Sequence, residues 1–419
     1  VKNAYATGNT QLTKMADKVN QLSGTFQILP DFLGSDQPRT YALMAMTTSE
    51  ERSSGGLIGS VGVVTTDNGK ISIGDFRSDG EYIPYGAGDP TEDEQRIFRQ
   101  WGPLNMSFDV RDLAVYPDTS RSAEGMRAIW QRTPWGSNTQ LDGVLMVDPV
   151  FLQELTKISG NVTIPDGTVL TGDNTAEFLL NKVYVDYPVS MQDALFAQVA
   201  EQAVGSMFSN IDLAKLTKVA QLMGSMAEGR HFSMYAFDET AEKTISDAGF
   251  TAQTPSSEEH PQVGVYVTEQ NPSKMGWYIH RTSKVTRSTC DNDGSQTYHV
   301  EYTMTNTLES SQIGALTSYI LGSGGQGVEK TLIYAPAGGS ISNLKTSGGS
   351  VTESRQETLN GKTVYASNAT IAPGESVTYS FDVTTSTKAV SDLTIDQTPM
   401  GWIDSGVTTD TAACSINKQ

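Results

Sequence analysis

Glu51–Ile71 reads ERSSGGLIGSVGVVTTDNGKI, and the fold follows from this stretch. Leu57–Thr66 is apolar and β-branched, Asp67-Asn68-Gly69 is a tight-turn signal, and Lys70–Phe76 is again extended. That order predicts a β-hairpin. Upstream, Tyr41–Thr47 reads as a further strand, joined to the hairpin through the polar loop Glu50–Gly56. Three successive strands predict the core of a sheet.

Downstream the pattern turns helical. Met126, Ile129 and Trp130 share one helical face. Leu141–Val147 is an apolar strand ending in Asp148-Pro149, a capping residue followed by one suited to a first turn. The helix beyond it would bury Phe151, Leu155 and Ile158. Ser190 with Asp193 reads as a capping box for a helix through Leu195, Val199, Ala203 and Met207. Asn210 would cap a second, with Leu213, Leu216, Val219 and Met223 inward and a stop near Gly229. His231–Phe237 then returns as a strand and Glu239–Ala248 as a helix. Interleaved strands and helices predict a layered α/β or α+β domain with a mixed sheet.

After the polar break Thr251–Gln262 the helices cease. Val263–Thr268, Trp277–Thr286, Thr297–Thr305, Lys330–Ala335, Thr363–Ala369 and Ser376–Thr384 alternate or are β-branched. They predict an immunoglobulin-like β-sandwich; Val263–Ile279 fits either the sandwich or the first sheet. The expected division is an N-terminal helix and linker at 1–37, an α/β domain at 38–284 and the sandwich at 285–419. Leu12, Met15, Val19 and Leu22 mark the first helix. Because the chain opens on Val1, a membrane anchor or signal peptide upstream is expected.

Composition narrows the function. The 419 residues carry 29 Lys+Arg and 48 Asp+Glu, a formal charge of −19. Such a field repels phosphate backbones, so nucleic acid is not an expected partner. Charged residues are only 18% and hydrophobic ones 37%, a balance that fits a folded, secreted chain. No apolar run is long enough to cross a bilayer. Cys290 and Cys414 lie outside any CxxC motif. A bridge between them is the expectation, and it favours an extracytoplasmic address.

His231, His260, His280 and His299 are dispersed without ligand spacing, and no GxSxG, Walker, HExxH or dinucleotide motif occurs. The candidate chemistry lies in arginines at element ends. Arg52 precedes Gly55 and Gly56, where a backbone can approach a ligand closely. Arg77 and Asp79 follow a strand; Arg111, Asp112, Asp118 and Arg121 precede a helix. Together they make a candidate site for a metal-chelated diphosphate. The alternative is a strand connection that needs glycine, ordinary ion pairs, and a helix cap from Ser120 or Ser122. The Met- and Leu-rich helices at 190–208 and 210–228 could line a lipid groove, although such helices more often form plain core. A glycosidase would need a carboxylate pair, and none stands out.

ERSSGGLIGSVGVVTTDNGKI resembles the signature of domain-of-unknown-function family 4012 of actinobacteria. RDLAVYPDTSRSA at 111–123, LDGVLMVDPVFLQEL at 141–155, GDNTAEFLLNKVY at 172–184 and QNPSKMGWYIHR at 270–281 extend the resemblance. It implies an extracytoplasmic cell-surface protein behind an N-terminal membrane helix, with a β-rich C-terminal part. DGVLMVDP and SGNVTIP at 159–165 are also similar to LytR-CpsA-Psr proteins, which move glycopolymers from polyprenyl pyrophosphate carriers to the cell wall. Carried over, that likeness implies Arg77 or Arg111 on the pyrophosphate and Asp79 or Asp112 on a divalent metal such as Mg²⁺. The expected function is binding, and with it transfer, of a polyprenyl-diphosphate-linked glycan. In that scheme Arg52, Arg77 and Arg111 neutralise the diphosphate and Asp79 or Asp112 serves catalysis. The rival expectation is a non-catalytic surface module for glycan or protein.

Overall fold

The computed structural model describes residues 20, 22–99, 104–207, 209–210, 212–352 and 354–416. The expected helical positions Leu12, Met15 and Val19 lie outside these residues.

The first sheet is built on β1 (Arg39–Arg52) and β2 (Gly55–Asp67), with β3 (Lys70–Ile73) and β4 (Arg77–Ser78) both on β2. On the other side of β1 come β5 (Gly143–Val147), paired parallel, and β8 (Phe232–Ala236), antiparallel to β5. The β2–β3 turn is the predicted one. Asn68 and Gly69 take φ values of 50° and 80°, the left-handed pair that a two-residue hairpin needs.

Strand alternation sends Leu43, Leu145 and Val147 to one face and Ala42, Met44, Val144 and Met146 to the other. The first face is covered by a helix over residues 22–32 and by Pro149–Ser159, Val189–Met207, Leu213–Glu228 and Glu239–Asp247. Thr119–Trp130 and the short 3₁₀ helix Val110–Val115 cover the second. A short hairpin of β6 (Val162–Thr163) and β7 (Val169–Leu170) lies beside the sheet.

Asp148 caps its helix as the sequence predicts, its Oδ1 accepting from the Phe151 N–H at 2.9 Å. Two expected caps are different. The first Met/Leu-rich helix already starts at Val189, which places Ser190 inside it. The second is capped by Asp212, which accepts from the Lys215 N–H; Asn210 sits at φ 50° in the preceding turn.

The C-terminal part is a β-sandwich of two facing sheets. One orders β13 (Ser340–Ser347), β17 (Ser376–Thr384), β11 (Gln296–Asn306), β10 (Ile279–Cys290) and β19 (Val407–Asp410). The other orders β14 (Ser350–Val351), β16 (Lys362–Ile371), β12 (Gly327–Tyr334), β9 (Gln262–Glu269) and β18 (Thr394–Gln397), with β15 (Arg355–Leu359) also on β16. Val265, Val267, Val300, Tyr302, Phe381 and Val383 share the core between them.

Two expectations change here. Val263–Thr268 belongs to the sandwich, through β12 and β18, and not to the first sheet. The expected boundary at 284/285 falls inside β10, which runs unbroken to Cys290. The reason is visible in β9, which is buried on both faces. Val263, Val265 and Val267 fill the sandwich, while Tyr266 packs with Leu332 and Tyr334 against the first domain.

Cys290 and Cys414 form a disulfide across a sequence separation of 124, tying the tail to the end of β10. Reduction is expected to lower unfolding free energy by roughly 2–5 kcal/mol. Denaturant melts with and without reductant check this, and coincident curves would contradict it.

Candidate functional site

The Glu50–Gly56 segment comes first, because the sequence gives it the strongest functional signal. In the structure Glu50–Arg52 ends β1, Ser53-Ser54 makes the turn, and Gly55-Gly56 opens β2. Every polar side chain in it is committed. Glu50 pairs with Lys274 at 2.8 Å, and Glu51 with Arg281 at 2.9 Å. Arg52 donates Nε and Nη2 to Asp112 Oδ1 at 3.1 and 3.0 Å. Ser53 Oγ meets Thr268 Oγ1, and Ser54 Oγ donates to the Tyr116 carbonyl. Glu50, Glu51 and Ser53 therefore reach the sandwich, and Arg52 and Ser54 stay within the first domain. The glycines answer to packing: a Cβ on Gly56 would lie 1.8 Å from the Thr47 carbonyl oxygen. Gly55 and Gly56 serve the strand connection, and the segment is the joint on which the two domains dock.

The other expected site residues fall into three places. Arg52 and Asp112 form a buried pair, with side chains 6% and 9% exposed. Asp112 Oδ2 accepts from both the backbone N–H and the hydroxyl of Ser107 at 2.7 Å. Burial works against the Asp112 charge, but the Arg52 guanidinium and the Ser107 donors outweigh it and hold the carboxyl below its ordinary range. Asp112 therefore has no oxygen left for a metal or for base chemistry.

Arg77, Asp79 and Arg111 lie at a second place, at the surface. Arg77 pairs with Glu81 at 3.0 Å and lies over the Trp135 ring at 4.3 Å. Arg111 forms a two-toothed pair with Asp109, at 3.0 and 2.7 Å. Asp79 accepts from the Gly80 N–H at 2.6 Å. Burial pushes Asp79 up to about 6; Asp193 and Glu50 add to the rise, and the Gly80 N–H and Arg111 oppose it. Among the described residues no group of three or more His, Cys, Asp or Glu could hold a metal ion. Asp112, fully engaged by Arg52 and Ser107, does not fit the expected Mg²⁺ site.

Asp118 and Arg121 occupy a third place, a cleft by the sandwich. Asp118 sits at the N-cap of Thr119–Trp130, the position expected for Ser120 or Ser122, but its carboxylate binds the Thr254 N–H at 2.7 Å. Arg121 holds Glu94 at 2.7 Å. The expected arginines do not converge: Arg52, Arg77, Arg111 and Arg121 each face a carboxylate of the chain itself.

This sorting has a measurable consequence. Asp112→Ala leaves the Arg52 charge buried and unpaired, and is expected to cost about 3–5 kcal/mol. Arg111→Ala removes a partner that is itself 38% exposed, leaves Asp109 its Arg111 backbone N–H, and is expected to cost less, about 1–2 kcal/mol. Urea unfolding separates the two, and equal losses would contradict the placement.

An almost wholly apolar opening lies elsewhere, on the first face of the sheet. A narrow apolar cavity of about 60 Å³ opens between the sheet and the surrounding helices. Leu43, Leu145, Val147, Phe232 and Met234 form its floor. Ile28, Leu29 and Phe32 from residues 22–32 form one wall, and Val204, Met207, Leu216, Val219, Ala220 and Met223 the other. Thr25 is the one polar residue in the lining. Hydrocarbon walls leave no means of binding charge. An acyl or prenyl chain fits this chemistry. The sequence carries the signal in the Met- and Leu-rich helices, but apolar periodicity reads the same whether a helix faces a packed core or a void.

Residues 36–184 match the model of a family described as a protein of unknown function, DUF4012. The match takes in the motifs at 51–71, 111–123, 141–155 and 172–184 and supports that family for this segment. No curated protein matches the chain. Among solved structures, a nutrient-binding candidate (lpg2210) from Legionella pneumophila is 11% identical, with a TM-score of 0.19. That match covers 30% of this chain and 44% of the Legionella one, so the chain spans less than half of that protein. The Lin1025 protein from Listeria innocua is 9% identical, covering 54% of this chain and 85% of that one at a TM-score of 0.25.

Proposed function

We propose that the protein is an extracytoplasmic cell-envelope module that binds the hydrocarbon chain of a lipid, with a polyprenyl-linked glycan as the ligand class. The observation that carries the reading is the apolar cavity between the sheet and the helices Val189–Met207 and Leu213–Glu228. The disulfide supports an oxidising compartment. The reading is binding without transfer, because the arginines expected on a diphosphate are already neutralised by Asp112, Glu81, Asp109 and Glu94. The likeness to LytR-CpsA-Psr proteins supplies the polyprenyl carrier as ligand class, and an N-terminal anchor would hold the module at the membrane.

Titration of the full chain with a fluorophore-bearing long-chain fatty acid tests the reading. Saturable binding at one site per chain is expected, displaced by a prenyl phosphate and not by inorganic diphosphate. A linear, non-saturable signal overturns it.

A further inference from the structure

The outer face of the sandwich brings together three side chains that no sequence motif links. β11 and β17 pair antiparallel and alternate, with Tyr298, Val300, Tyr379, Phe381 and Val383 inward. His299, Ser380 and Asp382 therefore point outward together. His299 lies directly opposite Asp382, and Ser380 is its diagonal neighbour.

His299 touches both. Its Nδ1 lies 2.8 Å from Asp382 Oδ1, and its Nε2 lies 3.2 Å from Ser380 Oγ. An ionised carboxylate only accepts, so the imidazole proton sits on Nδ1 and Nε2 is left to accept from the serine hydroxyl. Asp382 is held from its other side, where Asn343 Nδ2 donates to Oδ2 at 2.7 Å. That amide, followed by His299, keeps the Asp382 carboxyl below its ordinary range, so the orienting charge is present at neutral pH. The His299 and Asp382 side chains are 43% and 31% exposed, so a solute reaches them directly. Lys345, the cross-strand partner of Ser380 on β13, adds a positive charge that also acts on Asp382.

Hydroxyl to base, and base to an orienting carboxylate, are the contacts that make a serine nucleophilic. We propose that Ser380 is a nucleophile activated by His299, with Asp382 as the positioning residue, and that this face cleaves carboxylic esters with a good leaving group. Ser380 Oγ adds to the ester carbonyl carbon while His299 Nε2 takes its proton. The tetrahedral intermediate expels the alcohol, which receives that proton, and Ser380 is left acylated. Water then adds to the acyl carbon, passing a proton through His299, and the acid leaves the free serine. β17 lies between two strands, so its backbone N–H groups serve the ladder and the oxyanion has only the Lys345 ammonium. The rate is therefore modest. The site does not rest on the apolar cavity.

Labelling of the full chain with a fluorophosphonate, followed by peptide mapping, tests the proposal. The serine oxygen displaces fluoride from phosphorus and leaves a stable adduct, expected on Ser380. General-base help is worth about 10²–10⁴, so His299→Ala is expected to slow labelling about 100-fold or more. Ser380→Ala should abolish it with the melting temperature unchanged. Asp382→Asn offers an amide to the imidazole and is expected to slow labelling about ten-fold, with Asp382→Glu recovering part of the loss. No adduct on Ser380, or equal labelling of wild type and His299→Ala, overturns the assignment.

Discussion

Ala220→Phe is expected to weaken binding of a long-chain fatty acid or prenyl phosphate about 100-fold, with the melting temperature unchanged or raised. Ala220 lines the apolar cavity from the Leu213–Glu228 helix and faces the sheet residues across it. A phenyl ring there occupies the space of three or four methylenes of a bound chain. Each buried methylene is worth about 0.8 kcal/mol, so the loss is about 3 kcal/mol, or two decades in affinity. The opposite signs of the two readouts make the test specific. A ring forced into packed core would cost about 1–3 kcal/mol, whereas a ring entering open space gains contacts. Val204→Phe fills the same cavity from the neighbouring helix and should act in parallel. Undiminished binding by both variants would mean that the chain binds elsewhere. Lost stability in both would mean that the cavity is closed core.

The second large effect lies at the joint between the domains. Glu51, Glu329 and Arg281 are all buried there, beside Glu269. Glu51 Oε1 meets Arg281, but Glu51 Oε2 and both Glu329 oxygens have no donor among the described residues. The two carboxyls face one another, so a single shared proton satisfies both. Burial pushes Glu51 up to about 7, with Arg281 opposing; burial and the neighbouring Glu51 drive Glu329 well above the carboxylate range.

Raised carboxyl pKa values fix the sign of the pH dependence. The native state binds the proton more tightly than the unfolded chain, so this contribution is fully present below about pH 4.5. Glu51's part of it is lost as pH rises through about 7, while Glu329, raised further, still holds the shared proton. The amount is about 3 kcal/mol. Asp112 acts in the other direction: its lowered pKa gives stability that is present at neutral pH and lost in acid. The optimum is therefore weakly acidic. Glu329→Gln removes one of the two facing charges and can donate its amide to Glu51. It is expected to gain about 1–3 kcal/mol at pH 8 and nothing at pH 5, measured by urea unfolding. Parallel pH profiles for variant and wild type would rule out the shared proton.

The same joint shows what a sequence discloses. Asp67-Asn68-Gly69 and Asp148-Pro149 were legible because their chemistry is local: a left-handed turn and a capped first turn depend on neighbours within three residues. The α+β layering and the β-rich second half followed from the same local patterns. The helix starts at Val189 and Asp212 were misread because Ser190 and Asn210 have suitable side chains beside the positions that cap. β9 was ambiguous because a strand buried on both faces loses the alternation that would assign it to one sheet. The Glu50–Gly56 segment looked like a ligand loop for a related reason. Arginine and paired glycines are as suited to an inter-domain joint as to a phosphate, and the difference lies in partners 60 to 230 residues away, Asp112, Lys274 and Arg281. Of the expected site, Asp118 and Arg121 do lie together at one small cleft, where both are engaged by the chain's own groups. The apolar cavity is half legible: the Met- and Leu-rich helices at 190–208 and 210–228 suggest a groove, but apolar periodicity does not distinguish a void from packed core.

Organic extraction of the full chain, purified without detergent and followed by mass spectrometry, tests the central claim most directly. A prenyl or acyl lipid at close to one per chain is the predicted result, and it should be absent from Ala220→Phe prepared alongside. An extract free of lipid, repeated after incubation with a prenyl phosphate and gel filtration, would contradict the account.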